Sequence, residues 1–169
     1  ATAHFMRNHR HYLVTSGTTG YFPNPSQVAV ADTWHGPYRV LGNPHPDDPS
    51  HTSYHSQISS VFKVQGKKDL YIALADRWLP KQMFLNYEDY ADNFEAQFDP
   101  ECGKKADWRR RAEKVAAYEK ESGESVGMAP DCKDNTSISD YVWLPLRFDG
   151  DMVYIDWKDR WSLDEYEDA

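Results

Sequence analysis

Side chains that could bind and orient a polar ligand are concentrated around one predicted β-hairpin. His55 and Gln57 fall on the same face of its first strand, and its second strand runs into the sequence Asp76-Arg77-Trp78. The amide of Gln57 offers both a donor and an acceptor, so it can fix a hydroxyl group or orient a water molecule without ionising. Arg77 adds a fork of donors, and Trp78 adds a flat face for stacking. The pattern predicts a polar pocket with an aromatic wall.

The hairpin that positions these residues is predicted within residues 51–78. Its turn falls at residues 65–68, and its second strand, residues 70–75, is apolar on both faces, which indicates that both are covered. The first strand alternates between polar and apolar residues, as is typical of a strand with one buried face. The side chains predicted on its apolar face are Tyr54, Ile58, Phe62 and Val64.

Residues 18–25 form a predicted loop that contains two prolines and two further candidates for ligand contact. Thr19 could donate to a hydroxyl group, and the ring of Tyr21 could stack on a ligand together with Trp78. Both residues also have a structural interpretation, Thr19 as an ordinary loop residue and Tyr21 as a packing residue.

The other candidates can be explained structurally as well. Gln57 could be satisfied by neighbouring backbone, Asp76 could cap a turn or pair with Arg77, and Trp78 could pack within the fold. For His55 a neutral structural histidine is favoured over a metal ligand, because no second ligand stands at a suitable spacing. The remaining acids, including Asp47 and Asp48, are interpreted as solvated.

Composition predicts an all-β domain and excludes several classes of function. The 169 residues include 6 Trp, 11 Tyr and 10 Pro, which favours short aromatic strands separated by tight turns. The net charge of −8 argues against a nucleic-acid partner, because phosphates require a basic surface. No apolar run approaches the roughly 20 residues of a membrane span. The sequence starts with Ala1 and shows no signal peptide, so we expect a processed or truncated start.

A charged segment, residues 79–134, interrupts the rhythm of strands and is interpreted as an insert. Within it, residues 104–122 are predicted to form a helix that ends at Gly123. Its apolar face is expected to carry Trp108, Ala112, Val115 and Ala116. Cys102 and Cys132 flank the helix, and they are either a disulfide of an exported protein or two free thiols.

The predicted strands number about eight and fall into two groups of four, residues 1–44 and residues 50–163 without the insert. Four-stranded meanders in series are the unit of a β-propeller, which closes with about 4–8 blades. Two blades alone would leave an open edge. The chain is therefore either a different compact all-β fold or part of a longer one.

Six short motifs in a fixed order resemble the C-terminal part of glycoside hydrolase family 43, in particular its exo-β-1,3-galactanase branch. The motifs are residues 16–24, 35–38, 56–57, 76–78 and 141–146, and then Trp157 with residues 161–163. This resemblance implies two four-stranded blades of a five-bladed propeller with a helical insert. It also implies an inverting, exo-acting glycosidase that acts on a polysaccharide and is secreted or periplasmic. Gln57 would lie at the floor of the sugar pocket and assist the attacking water.

The sequence departs from the family pattern in two places. Tyr21 stands where the family usually has Trp, so the aromatic ring is kept and the indole is lost. The general acid of the family, a Glu, would fall about one position before Ala1, so the chain alone is expected to lack the catalytic carboxylates. Upstream blades, on a missing segment or another chain, would then complete the pocket. No cofactor is expected beyond a structural calcium ion in the central channel. Two alternatives stay open: a carbohydrate-binding propeller without catalysis, and a propeller used for protein contacts.

Overall fold

The computed structural model describes residues 1–91, 108–126, 137 and 139–169. Eight strands form two four-stranded antiparallel sheets, and each sheet keeps its strands in sequence order. This confirms the mainly β class and the two groups of four strands. The first sheet contains β1 (Thr2–Arg7), β2 (Arg10–Thr15), β3 (Gln27–Ala31) and β4 (Arg39–Gly42). The second contains β5 (Gln57–Lys63), β6 (Tyr71–Arg77), β7 (Asp140–Asp149) and β8 (Met152–Ile155).

The hydrophobic core lies between the two sheets, where β1 contacts β5. Alternate residues of each strand point into it, because successive side chains of a strand lie on opposite faces. The first sheet contributes Ala3, Phe5, Tyr12, Val14, Val28 and Val30, and the second contributes Ile58, Val61, Tyr71, Ala73, Ala75, Val142, Leu144, Leu146, Val153 and Ile155. No helix in the described part of the chain is long and apolar enough to cross a membrane.

The ends of the two sheets opposite to Gln57 are tied together by ion pairs. Arg7 binds Asp69 with an N–O distance of 2.6 Å, and Arg10 binds Asp151 of the β7–β8 turn. The acidic tail also docks at this end, where Lys67 donates to the carbonyl of Tyr166 at 2.9 Å. The acidic side chains of the tail remain exposed, as interpreted from the sequence, and Asp168 and Glu167 pair with Lys67 and Lys68 of the β5–β6 turn.

The predicted alternation along β5 was wrong in its second half. A β-bulge shifts the register between Ile58 and Ser60, so Val61 joins Ile58 in the core. Phe62 lies on the other face and is 39% exposed. One extra residue in a strand transfers every later side chain to the opposite face.

The residues before β5 form a left-handed turn rather than the start of a strand. Ser53, Tyr54 and His55 have φ angles of 55°, 58° and 56°, and the amide of Ser56 donates to the carbonyl of Thr52 at 3.2 Å. Non-glycine residues rarely adopt this conformation, which costs about 1–2 kcal/mol per residue. The surrounding hydrogen bonds must therefore hold the turn.

Helix α1 (Trp108–Ser122) packs against the loop that connects β2 to β3. Its buried positions are Arg111 and Val115, whereas Ala116 is exposed. The predicted face was therefore wrong at Ala116, because the helix packs on aromatic rings that contact the Arg111 guanidinium. The helix ends at Gly123 (φ 72°), as predicted. The predicted first turn of the helix and the two cysteines lie outside the described residues.

Helix α1 and the neighbouring residues build a second, smaller core. Its buried members are Phe22, Leu79, Leu85, Tyr90, Val115 and Val126. The guanidinium carbon of Arg111 lies 5.0 Å from the ring centre of Phe22 and 5.4 Å from that of Tyr90. The 79–91 and 108–126 segments thus hold the β2–β3 loop at the Gln57 end of the sheets.

Candidate functional site

A narrow crevice opens at the end of the sheets where β5 begins and β6 ends. We call it the Gln57 crevice. Its lining comes from the β2–β3 loop, the left-handed turn, the ends of β5 and β6, and the segment that follows β6. The residues are Tyr21, Pro23, His55, Ser56, Gln57, Asp76, Trp78, Leu79, Gln82 and Tyr90. Five of the seven predicted site residues therefore lie around one crevice: Tyr21, His55, Gln57, Asp76 and Trp78.

Three neighbours hold the amide of Gln57. The indole nitrogen of Trp78 donates to Oε1 at 3.1 Å. Nε2 donates to the hydroxyl of Ser16 at 3.2 Å and to the carbonyl of Gly20 at 3.4 Å. Gln57 thus links the end of β6 to the β2–β3 loop while it remains half-buried on the crevice wall.

Tyr21 and Trp78 form an aromatic wall beside this amide. Their ring centres are 5.2 Å apart and their planes are inclined by 49°. Tyr21 is 46% exposed, so much of its ring remains available for stacking on a ligand.

Asp76 is the only carboxylate among the described residues that line the crevice. It stands directly opposite Gln57 in the β5–β6 pairing and is partly exposed. No hydrogen bond or ion pair joins its side chain to another described residue, so the predicted ion pair with Arg77 is not formed. An ionised carboxylate with free lone pairs is a strong acceptor for hydroxyl groups.

His55 is held at the inner end of the crevice. Its Nε2 lies 2.6 Å from the carbonyl oxygen of Leu85, and because a carbonyl only accepts, this nitrogen carries the proton. Burial lowers the pKa of His55, with the Leu85 hydrogen bond opposing the shift, so the ring is neutral at pH 7. The second ring nitrogen, Nδ1, of a neutral imidazole held in this way accepts hydrogen bonds and does not donate them.

Thr19 is buried inside the β2–β3 loop rather than facing the crevice. Its hydroxyl donates to the carbonyl of Phe22 at 2.6 Å and accepts from the amide of Asn24 at 2.5 Å. It lies beside a separate polar cleft of about 470 Å³. These contacts fix the shape of the loop that carries Tyr21.

Arg77 lies on the opposite face of β6 from Asp76, because consecutive strand residues alternate. Its Nη2 donates to the carbonyl of Tyr54 at 2.9 Å, and its Nε is buried with no hydrogen-bond partner among the described residues. Burial lowers its pKa, with the charge of Asp140 opposing the shift. The guanidinium lines a second cleft of about 340 Å³ together with Trp143, Trp157 and Trp161. We call this the Arg77 cleft.

The sequence interpretation missed Asp48, which organises the left-handed turn. Asp48 is buried and accepts hydrogen bonds from the backbone amides of Ser50 (3.1 Å), Thr52 (2.7 Å) and Tyr54 (3.1 Å), and from the Ser50 hydroxyl. Burial alone would raise the pKa of Asp48, but these hydrogen bonds together hold it below its ordinary value. The interpretation of Asp48 as solvated was wrong. An aspartate two residues before Ser50 is typical of an Asx turn, and that signal could have identified it.

Metal binding finds no support among the described residues. No three or more His, Cys, Asp or Glu side chains in that part of the chain are arranged to hold an ion.

Comparison with solved structures identifies the fold to which this site belongs. No family model and no curated protein sequence matches the chain. A β-1,3-galactosidase of GH43 superposes with a TM-score of 0.60 at 24% identity, covering 98% of this chain and 24% of that protein. A second GH43 β-1,3-galactosidase, solved with galactodeoxynojirimycin, gives a TM-score of 0.58 at 22% identity, covering 96% and 32%.

An exo-β-1,3-galactanase from Phanerochaete chrysosporium, solved as its E208A variant with β-1,3-galactotriose, gives a TM-score of 0.50 at 18% identity. The match covers 92% of this chain and 23% of the galactanase. The chain shares the fold of GH43 galactosidases. It spans about a quarter to a third of the length of these proteins. The similarity to the galactanase branch expected from the motifs is therefore confirmed at the level of the fold.

Proposed function

We propose that the chain supplies two neighbouring blades of a five-bladed propeller glycosidase that releases galactose from the end of β-1,3-linked galactan with inversion. The observation that carries the proposal is the Gln57 crevice, in which a held amide stands beside an aromatic wall. It occurs in a chain that has the fold of β-1,3-galactosidases.

Each residue of the crevice has a role that suits a sugar ligand. The rings of Tyr21 and Trp78 stack on the apolar face of a pyranose. The Asp76 carboxylate and Nδ1 of His55 accept from its hydroxyl groups, and Gln57 orients a hydroxyl or the attacking water. Thr19 and Arg77 act indirectly, because they hold the β2–β3 loop and the left-handed turn in place.

The chemistry requires groups beyond those that line this crevice. Inverting hydrolysis uses two carboxyl groups about 6.5–9.5 Å apart, one as acid and one as base. Asp76 is the only carboxylate that the described residues bring to the crevice. We therefore assign the general acid to another blade of the propeller.

Exposed apolar side chains support the presence of such flanking blades. On the face of the second sheet that points away from the core, Phe62, Tyr141 and Trp143 are 39%, 61% and 49% exposed. Met6 and Val40 lie on the corresponding face of the first sheet. Apolar patches of this kind mark surfaces that are covered in the functional assembly.

A carbohydrate-binding propeller without catalysis is the second candidate. The presence of one carboxylate among the described residues of the crevice favours it, because binding requires only the aromatic wall and the polar groups.

Hydrolysis of β-1,3-galactotriose by the protein that contains this chain separates the two candidates. We expect release of galactose with inverted anomeric configuration, measured by proton NMR of the fresh product. Replacement of Gln57→Ala should lower kcat by about 100-fold, since orientation supplies a large share of the barrier reduction. Gln65→Ala, at the exposed turn at the far end of the same hairpin, is the matched control. Binding of the trisaccharide without release of galactose would leave only the second candidate.

A further inference from the structure

The hydrogen bonds around Gln57 determine which way its amide faces. An indole N–H can only donate and a backbone carbonyl can only accept. The atom of Gln57 that faces Trp78 must therefore be Oε1, and the atom that faces the Gly20 carbonyl must be Nε2. A turned amide would set its NH₂ against the indole N–H and its oxygen against the carbonyl, so it would lose both contacts. The Trp78 indole and the Gly20 carbonyl therefore both favour the same orientation of the Gln57 amide.

The same contacts limit what Gln57 can offer to a ligand. Both protons of Nε2 are engaged, one with the Ser16 hydroxyl and one with the Gly20 carbonyl. The carbonyl oxygen Oε1 has two lone pairs, and the indole of Trp78 uses one of them. One lone pair of Oε1 is left for the crevice.

We propose that Trp78 is a positioning residue that fixes Gln57 as a hydrogen-bond acceptor, so that the ligand group bound there is a donor, either a sugar hydroxyl or a water molecule. This inference rests on the proposed function for the identity of the ligand, but the orientation of the amide does not depend on it. A water molecule that donates to Oε1 keeps its own lone pairs free to face the anomeric carbon. Gln57 in this role orients the water and does not take its proton.

The indole N–H of Trp78 therefore has a role beyond the ring that it presents to a sugar. Trp78→Phe keeps an aromatic ring beside Tyr21, but it removes the N–H donor together with one of the two fused rings. Trp161→Phe is a matched control, because the Trp161 indole also donates to an oxygen, the Trp143 carbonyl at 2.8 Å, away from the Gln57 crevice.

NMR of the side-chain amide of Gln57 tests the orientation without any substrate. In ¹⁵N-labelled protein, with the Gln57 signal assigned by its loss in Gln57→Ala, we expect Trp78→Phe to shift this signal. The shift reports the hydrogen bond lost at Oε1, because the two amide protons keep their own acceptors, the Ser16 hydroxyl and the Gly20 carbonyl. Trp161→Phe should leave the signal in place. An unchanged Gln57 signal in Trp78→Phe would overturn the inference.

Kinetics on β-1,3-galactotriose tests the positioning role. We expect Trp78→Phe to lower kcat about tenfold with KM changed by less than twofold, and to have no further effect in the Gln57→Ala background. An equal loss in both backgrounds would show that Trp78 does not act through Gln57 and would overturn the inference. If the protein hydrolyses no galactan and the NMR result still holds, the proposed function fails while the positioning of Gln57 by Trp78 stands.

Discussion

Two sets of polar and aromatic residues lie at the same end of the sheets. They differ in how many of their hydrogen-bonding and stacking groups remain free for a ligand. The crevice set, Tyr21, Gln57, Asp76 and Trp78, keeps an exposed ring, one carbonyl lone pair and a carboxylate available to a ligand. The buried set, Thr19, His45 and Asp48, is enclosed among backbone groups and apolar side chains. Buried polar groups that bond the backbone hold the fold, and those with spare capacity at a surface can bind. The difference indicates which substitutions should change stability and which should change activity.

Replacing Asp48 should have the largest effect on stability. Asp48→Ala removes the acceptor of three backbone amides in a turn that contains three consecutive left-handed residues. We expect the free energy of unfolding to fall by about 4 kcal/mol, because several buried donors lose a charged acceptor together. Urea denaturation measures the change, with the exposed neighbour Asp47→Ala as the control, expected to lie within about 0.5 kcal/mol of the wild type. Equal effects of the two substitutions would contradict the assignment of Asp48 to the buried set.

His45 predicts a pH dependence of stability. Burial lowers the pKa of His45 to about 4, with the charge of Asp48 opposing the shift, whereas an unfolded histidine titrates near 6.5. Above pH 6.5 the His45 side chain is neutral in both the folded and the unfolded protein, and the free energy of unfolding has its full value. Between pH 6.5 and about 4 only the unfolded state binds the proton, so stability falls with pH by up to about 3 kcal/mol.

The substitution His45→Phe should make the free energy of unfolding depend less steeply on pH in this range. Urea denaturation at pH 7, 6 and 5 measures this slope. Burial also lowers the pKa of His55, so part of the slope should persist in the variant. A slope identical to that of the wild type would show that His45 is not held neutral in the folded protein.

Thr19 should give the smallest of these effects. Thr19→Val keeps the shape of the side chain and removes the hydroxyl that bonds the Phe22 carbonyl and the Asn24 amide. We expect a loss of about 1 kcal/mol in the free energy of unfolding, with KM for β-1,3-galactotriose changed by less than twofold. A rise in KM of tenfold or more without loss of stability would move Thr19 into the crevice set.

The strands and their grouping could be predicted from the sequence because period-two alternation and turn residues are local signals. The alternation predicted the two groups of four strands, and the glycine at position 123 predicted the end of α1. The β5 bulge at Ser59 and the left-handed turn before it have no glycine to mark them, so the face of Phe62 was predicted wrongly.

The candidate site could be predicted only in part. Gln57 and Asp76 lie opposite each other because they pair across the two adjacent strands of the predicted hairpin. Arg77 follows Asp76 directly, and strand alternation carries it to the other face, where it supports the Tyr54 carbonyl. The role of Asp48 depends on a turn whose partners follow it by two to six residues. The Asx-turn spacing to Ser50 was a local signal for the first of these partners, but it does not indicate that the carboxylate is buried.

The position of the ligand is tested most directly by the tryptophan indole signals in a ¹H–¹⁵N spectrum during titration with β-1,3-galactotriose. Of the six tryptophans, Trp78 lines the Gln57 crevice, whereas Trp143, Trp157 and Trp161 line the Arg77 cleft. Signals are assigned by single Trp→Phe variants of the protein that contains this chain. We predict a saturable shift of the Trp78 indole signal with the three cleft signals unmoved. Saturable shifts of Trp157 and Trp161 with no change at Trp78 would contradict the assignment of the sugar to the Gln57 crevice.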